Sequence, residues 1–192
     1  MKEHFSGQRM CADVRLEGSH VYLRPVSLAD TDLILRWRSD PRIASQLFSE
    51  RPPTREEHHE WFAKTRETRD RFEFVIVIRE TDQPIGTIGL SHIDWQRQEA
   101  EYGILIGEAR WHGKGMAQEA SALLLQYAFQ VLQLRTVTLR TFADNRPARA
   151  LYERLGFVQE PALSGRHQQG NLIRETVTMK LCPPQVAVSR RP

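Results

Sequence analysis

One stretch decides the fold: Ile104-Leu105-Ile106-Gly107-Glu108-Ala109-Arg110-Trp111-His112-Gly113-Lys114-Gly115-Met116-Ala117. An apolar strand leads through a glycine-containing turn into a helix, because apolar residues recur at helical spacing from Ala117 to Val131. Glycines let an anion approach the main chain, the helix start carries about half a positive charge, and Lys114 adds a mobile cation. The stretch predicts phosphate binding; the alternative is that Gly113 and Gly115 only permit a tight turn.

The flanking sequence supplies the other elements. Val21 to Val26 is typical of a strand, Ser27 can cap a helix, and Thr54 with Glu57 forms a capping-box pattern for a second helix. Further segments predict two strands in a hairpin, a strand on each side of the long helix, another helix and a final hairpin. In chain order they are 72–78, 85–90, 101–106, 136–141, 145–156 and a hairpin ending at Leu181. A strand, a helix and a strand in succession imply a right-handed parallel crossover.

Composition bounds the class of protein. The chain has 192 residues, 40% hydrophobic and 27% charged, with mean hydropathy −0.51, which excludes a disordered or membrane-embedded protein. No apolar run approaches the roughly 20 residues that span a bilayer, and the segment from Met1 to Phe5 lacks the apolar region typical of a signal peptide, so we expect a cytoplasmic location and no membrane partner. We expect one domain over 12–182, with flexible ends at 1–11 and 183–192.

Cysteine, histidine and charge patterns give no metal or nucleic-acid signal. Cys11 and Cys182 form no zinc or disulfide pattern. His58 and His59 point about 100° apart on a helix and do not chelate one ion, so no metal is expected. The net charge is +3 with interspersed charges, which makes nucleic acid an unlikely partner. The sequence does not fix the oligomeric state, and a homodimer is one expectation.

Two known phosphate-binding motifs are absent from the sequence. No GxxxxGK followed by Ser or Thr occurs, and Gly113-Lys114-Gly115 lacks the third glycine of a dinucleotide fingerprint. The stretch instead resembles the GNAT superfamily of acetyl-CoA-dependent N-acetyltransferases, together with the downstream segment Asn145-Arg146-Pro147-Ala148-Arg149-Ala150-Leu151-Tyr152-Glu153-Arg154-Leu155-Gly156-Phe157. The resemblance implies an α/β (α+β) fold: a mixed, mostly antiparallel central sheet with a parallel splayed strand pair and flanking helices.

The resemblance also implies positions that bind acetyl-CoA, the co-substrate. His112, Gly115 and Ala117 match the family's loop, with His112 departing from the usual Gln or Arg. The main chain around the helix start would bind the diphosphate, a strand end would pair with the pantetheine amides, and two side chains of the next helix would assist. These positions are Gly113, Lys114, Gly115, Met116, Ala117, Gln118; Ile104, Leu105, Ile106; Asn145 and Arg149. Gly103 indicates either a β-bulge that splays the strands or a packing glycine.

Two side chains are the catalytic candidates. Free amines have a pKa near 10.4, so only about one in a thousand is neutral at pH 7 and a base is useful. The resemblance makes Glu101 the candidate base, with a surface or salt-bridged role as the alternative. In the alanine acetyltransferase relatives the base matches Arg140, which cannot serve. The resemblance also implies that Tyr152 faces the departing sulfur, with core packing as the alternative. No cysteine neighbours the motifs, which disfavours a covalent route.

The acceptor amine is less defined. It is expected between the two early helices and the segment from Gly165 to Gly170. The early helices resemble the branch of ribosomal-protein alanine, polyamine and nucleotide-linked aminosugar acetyltransferases. A basic edge would suit the phosphate of an aminosugar nucleotide, whereas a polyamine would favour acidic residues; the candidate arginines are Arg36, Arg38, Arg42 and Arg51. The expected acceptor is an aminosugar nucleotide or another small amine, with a polyamine or a protein N-terminus as the alternative. A non-catalytic CoA-binding regulatory module and a basic nucleic-acid binder remain alternatives of other classes.

Overall fold

The computed structural model describes residues 14–183 except Arg69, together with every side chain in that range but that of Arg66. The ends expected to be flexible, 1–11 and 183–192, lie outside the described residues apart from Pro183, and so does Cys11. Cys182 is an exposed free thiol. None of the helices within the described ranges is long and apolar enough to cross a membrane.

A mixed nine-stranded sheet runs through the described residues, in the order β1-β2-β3-β4-β5-β6-β9-β7, with β8 paired to β9. Only β5 and β6 pair in parallel; the other described pairs are antiparallel. The strands are β1 Leu16–Glu17, β2 Val21–Pro25, β3 Phe72–Ile78, β4 Gln83–Asp94, β5 Glu99–Ile106, β6 Thr136–Phe142, β7 Val158–Gln159, β8 Gly165–Gln169 and β9 Leu172–Leu181. This is the predicted fold class.

Five α-helices flank the described sheet. They are α1 Thr31–Ser39, α2 Pro41–Ala44, α3 Arg55–Glu67, α4 Met116–Gln126 and α5 Arg146–Arg154. The capping box of Thr54 and Glu57 begins α3 as predicted, whereas Ser27 begins a 3₁₀ turn, Leu28–Asp30, that leads into α1. The long helix ends in a π-helical turn, Tyr127–Val131, in which Val131 is exposed, contrary to its expected place on the apolar face.

The two faces of the sheet carry different side chains, because successive residues of a strand point to opposite sides. On one face, Phe72, Leu90 and Tyr102 form a row across β3, β4 and β5 and are buried in the core that α4 and α5 cover. On the other face, the matching row is Glu73, Gly89 and Gly103. We call this second side the α1 face.

Helix α1 is fixed to the carboxyl end of β5 by one large side chain. Trp37 is 2% exposed and its indole N–H donates to Glu108 Oε1 at 2.9 Å. The indole ring occupies the space where a Cβ at Gly107 would lie. A glycine at this position therefore sets how closely α1 approaches the strand.

We predict that Gly107→Ala destabilises the fold by about 1–3 kcal/mol, because its methyl group would overlap the Trp37 ring and displace α1. Gly103→Ala is the matched control on the same strand, since no described heavy atom lies within 4 Å of its Cβ. Its stability should equal or slightly exceed that of the wild type. Urea unfolding followed by Trp fluorescence measures both variants, and equal stabilities for the two would contradict this account.

Candidate active site

The turn before α4 exposes main-chain nitrogen atoms. Gly113 and Gly115 have φ of +72° and +84°, a left-handed conformation that favours glycine. No described atom lies within 4 Å of a Cβ built on either residue. The space in front of the helix is therefore open, while the positive φ values are also those that the tight-turn alternative requires.

Most of the predicted diphosphate contacts have free donors. The first intrahelical bond of α4 runs from the Glu119 N–H to the Gly115 carbonyl, so the preceding N–H groups have no acceptor within the described part of the chain. These donors belong to Gly113, Gly115, Met116, Ala117 and Gln118. The Lys114 N–H differs, because it donates to Trp111 O at 3.4 Å, while its ammonium lies 5.1 Å from the Trp111 ring centre.

His112 has a partner that its sequence position did not predict. Its ring Nε2 lies 3.0 Å from the carbonyl oxygen of Ile106, although the side chain is exposed. Because a carbonyl only accepts, Nε2 carries the hydrogen. The residue that departs from the family loop therefore ties that loop to the end of β5.

The edge of β5 that faces β6 loses its partner partway along. The parallel ladder between the two strands covers only Glu99 to Glu101 on β5, paired with Thr136 to Thr138 on β6. Beyond Glu101 no described strand pairs with this edge. The predicted parallel splayed pair is thus present, and its gap begins at Tyr102.

Hydrogen-bond alternation identifies which main-chain groups face the gap. The Gly107 N–H donates to Ile85 O on β4, so the odd-numbered residues before it also bond to β4. The groups of Ile104 and Ile106 therefore point into the gap, and those of Leu105 point to β4. Of the three predicted pantetheine positions, Leu105 has its main chain paired with β4, and the Ile106 carbonyl already accepts from His112 Nε2. The groups of Ile104 and the Ile106 N–H remain directed into the gap.

Gly103 does not create the gap through a bulge. The β4–β5 register is continuous from Gly86 to Ser91, and the irregularity lies between Ser91 and Asp94. The bulge expected at Gly103 is wrong in this respect, and so is the alternative of a packing glycine, because no described atom approaches its Cβ position. Gly103 instead leaves open space on the α1 face.

The two side chains predicted on α5 have contrasting partners. Asn145 caps the helix, its Oδ1 accepting from the Ala148 N–H at 3.3 Å, and its contact with the co-substrate stays a prediction. Arg149 donates to Ala143 O at 3.2 Å and lies 4.0 Å from Glu153. The Arg149 guanidinium thus already has partners in the segment before α5 and on α5 itself. Its contact with the nucleotide also stays a prediction.

Tyr152 lies beside the gap. It is 7% exposed, and its ring packs edge-on against Tyr102, the first β5 residue past the β6 ladder, with ring centres 6.0 Å apart. Burial raises the pKa of the Tyr152 hydroxyl to about 12. Among the described residues the hydroxyl has no hydrogen-bond partner, so it is free to meet a ligand atom in the gap.

Glu101 is on the α1 face and has a partner. Its Oε2 lies 3.2 Å from His92 Nδ1, and its side chain is 44% exposed. Glu101 therefore lies at the start of the gap. It also has the ionic partner that the alternative hypothesis, a surface or salt-bridged role, predicted.

Sequence reasoning missed Glu73. Its carboxylate occupies the space where a Cβ at Gly89 would lie, and Oε1 accepts from Arg71 at 3.2 Å. Its side chain is 21% exposed. Burial raises the pKa of Glu73 to about 7, against the opposing attraction of Arg71 and Arg38. The signal available in the sequence was a charged residue within the otherwise apolar Phe72–Ile78 strand.

The predicted acceptor region is brought together in space. Gln169 of the β8–β9 hairpin donates to Ala44 O and Leu47 O, at 3.4 and 3.2 Å. Phe48 then packs on Phe142 of β6, with ring centres 4.6 Å apart. The last hairpin and the segment after α1 thus enclose the side of the α1 face that borders β6.

The four arginines of the predicted basic edge separate into three groups. Arg36 and Arg42 line a cavity of about 460 Å³ at the carboxyl end of β5, where Glu108 and Asp40 accept from them at 2.6 Å. Arg38 is a half-buried residue of α1, and burial lowers its pKa. Arg51 pairs with Glu57 at 2.5 Å, outside that cavity. In the described part of the chain no group of three His, Cys, Asp or Glu side chains could hold a metal ion.

A helix start with free N–H groups, set beside a strand edge that has lost its partner, is the arrangement that the resemblance to acetyl-CoA-dependent acyltransferases predicted. The family model described as "Acetyltransferase (GNAT) domain" matches residues 20–158. The chain belongs to this family of acetyltransferases.

Individual relatives are similar over most of the chain. An uncharacterized N-acetyltransferase p20 of Bacillus licheniformis is 30% identical, over 73% of this chain and 80% of its own length. Spermidine N(1)-acetyltransferase of Vibrio cholerae is 29% identical, over 78% of this chain and 89% of its own. A crystal structure of the Vibrio cholerae spermidine N-acetyltransferase with CoA and spermine superposes with a TM-score of 0.79 at 26% identity, covering 86% of this chain and 96% of that one.

We predict that Glu73→Gln raises stability only at high pH. The carboxyl ionises near pH 4.5 when the chain is unfolded and near pH 7 in the fold, so the wild type loses stability as pH rises through this window. The variant should exceed the wild type by about 1–3 kcal/mol at pH 8, and the difference should vanish at pH 4. Urea unfolding at both pH values measures it, with the exposed Glu60→Gln as control. A stability difference that does not change with pH would contradict the assignment.

Proposed function

We propose that this protein transfers an acetyl group from acetyl-CoA to the primary amine of a small molecule that also carries an anionic group, such as a nucleotide-linked aminosugar. The observation that carries the proposal is the unpaired β5 edge next to the free N–H groups of α4. We assign the activity to a single domain over 12–182, because one continuous sheet joins Leu16 to Leu181.

The binding step uses main-chain groups. The N–H groups of Gly113, Gly115 and the first turn of α4 donate to the diphosphate, where the helix start favours negative charge. The amides of the pantetheine arm pair as an added strand with the main chain of Ile104 and with the N–H of Ile106, whose carbonyl accepts from His112. This places the thioester near Tyr102, where the gap between β5 and β6 begins.

The chemical step is attack of the amine nitrogen on the thioester carbonyl carbon. Glu101, at the start of the gap on the α1 face, is a candidate to accept the ammonium proton. Tyr152 reaches the gap from the opposite face and donates a hydrogen bond to the departing sulfur. The proton acceptor for the amine and the hydrogen-bond donor for the sulfur therefore lie on opposite sides of the sheet.

Tyr152 acts as a hydrogen-bond donor and keeps its proton. Its hydroxyl has a pKa of about 12, whereas a thiol has one of about 8.5. Full transfer to the thiolate would thus be uphill by about 5 kcal/mol. A hydrogen bond that strengthens as charge develops on sulfur stabilises the transition state without this transfer.

Charges around the cleft favour an acceptor that carries an anion. Three arginines, Arg36, Arg42 and Arg110, line the 460 Å³ cavity against two carboxylates. The Nε atom of Arg38 is buried with no hydrogen-bond partner among the described residues. The polyamine alternative has its own support, since a similar structure holds spermine and the carboxylates of Glu73 and Glu101 lie on the α1 face. A protein N-terminus is the third candidate.

Two measurements test the proposed function. Calorimetry measures CoA binding, and the release of free thiol from acetyl-CoA measures turnover with aminosugar nucleotides, spermidine and N-terminal peptides. We expect CoA binding and turnover fastest with an amine that carries phosphate. Gly115→Ala should weaken CoA binding at least about tenfold, because a non-glycine residue at positive φ is strained by about 1–2 kcal/mol and its methyl group faces the ligand.

Gly170→Ala is the matched control, because Gly170 also has positive φ and open space around its Cβ but lies in the β8–β9 turn. It should change the CoA dissociation constant less than about twofold. CoA binding without turnover of any amine would indicate a regulatory module. Salt-sensitive nucleic-acid binding without CoA binding would replace the proposal with a nucleic-acid function.

Tyr152→Phe should lower kcat about 10- to 100-fold with little change in KM, because a lost hydrogen bond to developing charge amounts to about 1–3 kcal/mol. Tyr102→Phe is the control, since that phenol is committed to Ser121 Oγ at 2.6 Å. It should lower stability while leaving kcat within about threefold. Steady-state kinetics at saturating acetyl-CoA distinguish the two variants, and unchanged turnover in Tyr152→Phe would remove Tyr152 from catalysis.

A further inference from the structure

Glu73 is placed by strand register in line with the gap. It pairs with Gly89 on β4, and Gly89 pairs with Gly103 on β5. At Gly103 the other edge of β5 no longer pairs with β6, because the β5–β6 ladder ends at Glu101. A straight row on the α1 face therefore runs from Glu73 across two glycines to the opening where the thioester is proposed to lie.

The two glycines clear the path along this row. A Cβ at Gly89 would overlap the Glu73 carboxylate, so the side chain lies directly over Gly89 and is directed toward β5. No described atom lies within 4 Å of a Cβ at Gly103. With strands about 4.8 Å apart, the carboxylate is close enough to the space above Gly103 for one water molecule to join them.

The surroundings of Glu73 suit a group that exchanges protons. The charged groups that act on it are Arg71, the residue before β3, and Arg38 of α1, while β4 and β5 contribute the two glycines. At 21% exposure the carboxylate still reaches water. Its pKa of about 7, raised by burial, matches the pH at which a base must both accept and release a proton.

Glu101, the other carboxylate of this face, is less suited. It already contacts His92 at 3.2 Å and its side chain is 44% exposed. Glu73 is the more enclosed carboxylate and is directed along the glycine row.

We propose that Glu73 is the general base of acetyl transfer, removing the acceptor's ammonium proton through one water molecule held above Gly103. This inference rests on the proposed function. One proton of the ammonium passes through the water to the carboxylate, and the freed nitrogen lone pair forms the N–C bond. The C–S bond then breaks, its electron pair leaves with sulfur, and a second nitrogen proton neutralises the thiolate. Glu73 releases its proton to solvent.

The test measures kcat from pH 6 to pH 10 with the panel amine that the wild type turns over fastest. Glu73→Gln should lower kcat about 100-fold at pH 7, within the range of general-base catalysis. The difference in kcat between the variant and the wild type should become smaller as pH approaches the pKa of that amine, because the amine then arrives unprotonated. Glu73→Asp, which retains a shorter carboxylate, should lose about tenfold with the same narrowing. The exposed Glu80→Gln should match the wild type.

Three results would overturn the assignment. A loss in Glu73→Gln that is the same at every pH would indicate a positioning role, as would a change in KM alone. A larger pH-dependent loss in Glu101→Gln would assign the base to Glu101. CoA calorimetry on each variant separates these results from a failed fold. If the wild type binds no CoA or turns over no amine, the proposed function fails and this inference fails with it.

Discussion

The separation of β5 from β6 after Glu101 and Thr138 is the constraint on which the rest of the molecule depends. Main-chain N–H and C=O groups that leave a ladder must find other partners, and a strand edge inside a sheet is a place where a ligand with amide groups can supply them. The start of α4 presents its own free donors close to the same edge. One break in the sheet therefore produces both halves of the co-substrate site.

The break must be held open by packing on both sides. On the α4 face, Tyr102 donates to or accepts from Ser121 at 2.6 Å and packs against Tyr152, which fixes β5 to the helices where it leaves β6. On the α1 face, Trp37 packs over Gly107 and bonds to Glu108. The His112 ring fastens the loop to Ile106. The strand end is thus stabilised from three directions without a neighbour on its open edge.

Sequence predicted most of the elements because their signals are local. The Asn145 cap, the capping box of Thr54 and the period change at Ala117 each lie within a few residues, and each predicted element is present. The features that sequence missed depend on strand register and on where a side chain is directed in the folded chain. The irregularity at Ser91–Asp94 replaces the expected bulge at Gly103, and His112 finds Ile106 across a turn. Neither follows from periodicity or propensity.

The same distinction applies to the site. The diphosphate cradle was predictable because a glycine turn and a helix start are contiguous, whereas the Glu73 row depends on the register of three strands. That register also gives the sheet two unlike faces. On the packed face, burial without a charged partner holds the Tyr152 hydroxyl at a pKa of about 12, so it keeps its proton. On the α1 face, burial opposed by two arginines leaves Glu73 near 7, where a proton is readily exchanged. The gap lies between these faces. Tyr152 can therefore donate to the departing sulfur while Glu73 accepts a proton from the attacking amine, and the two side chains do not contact each other.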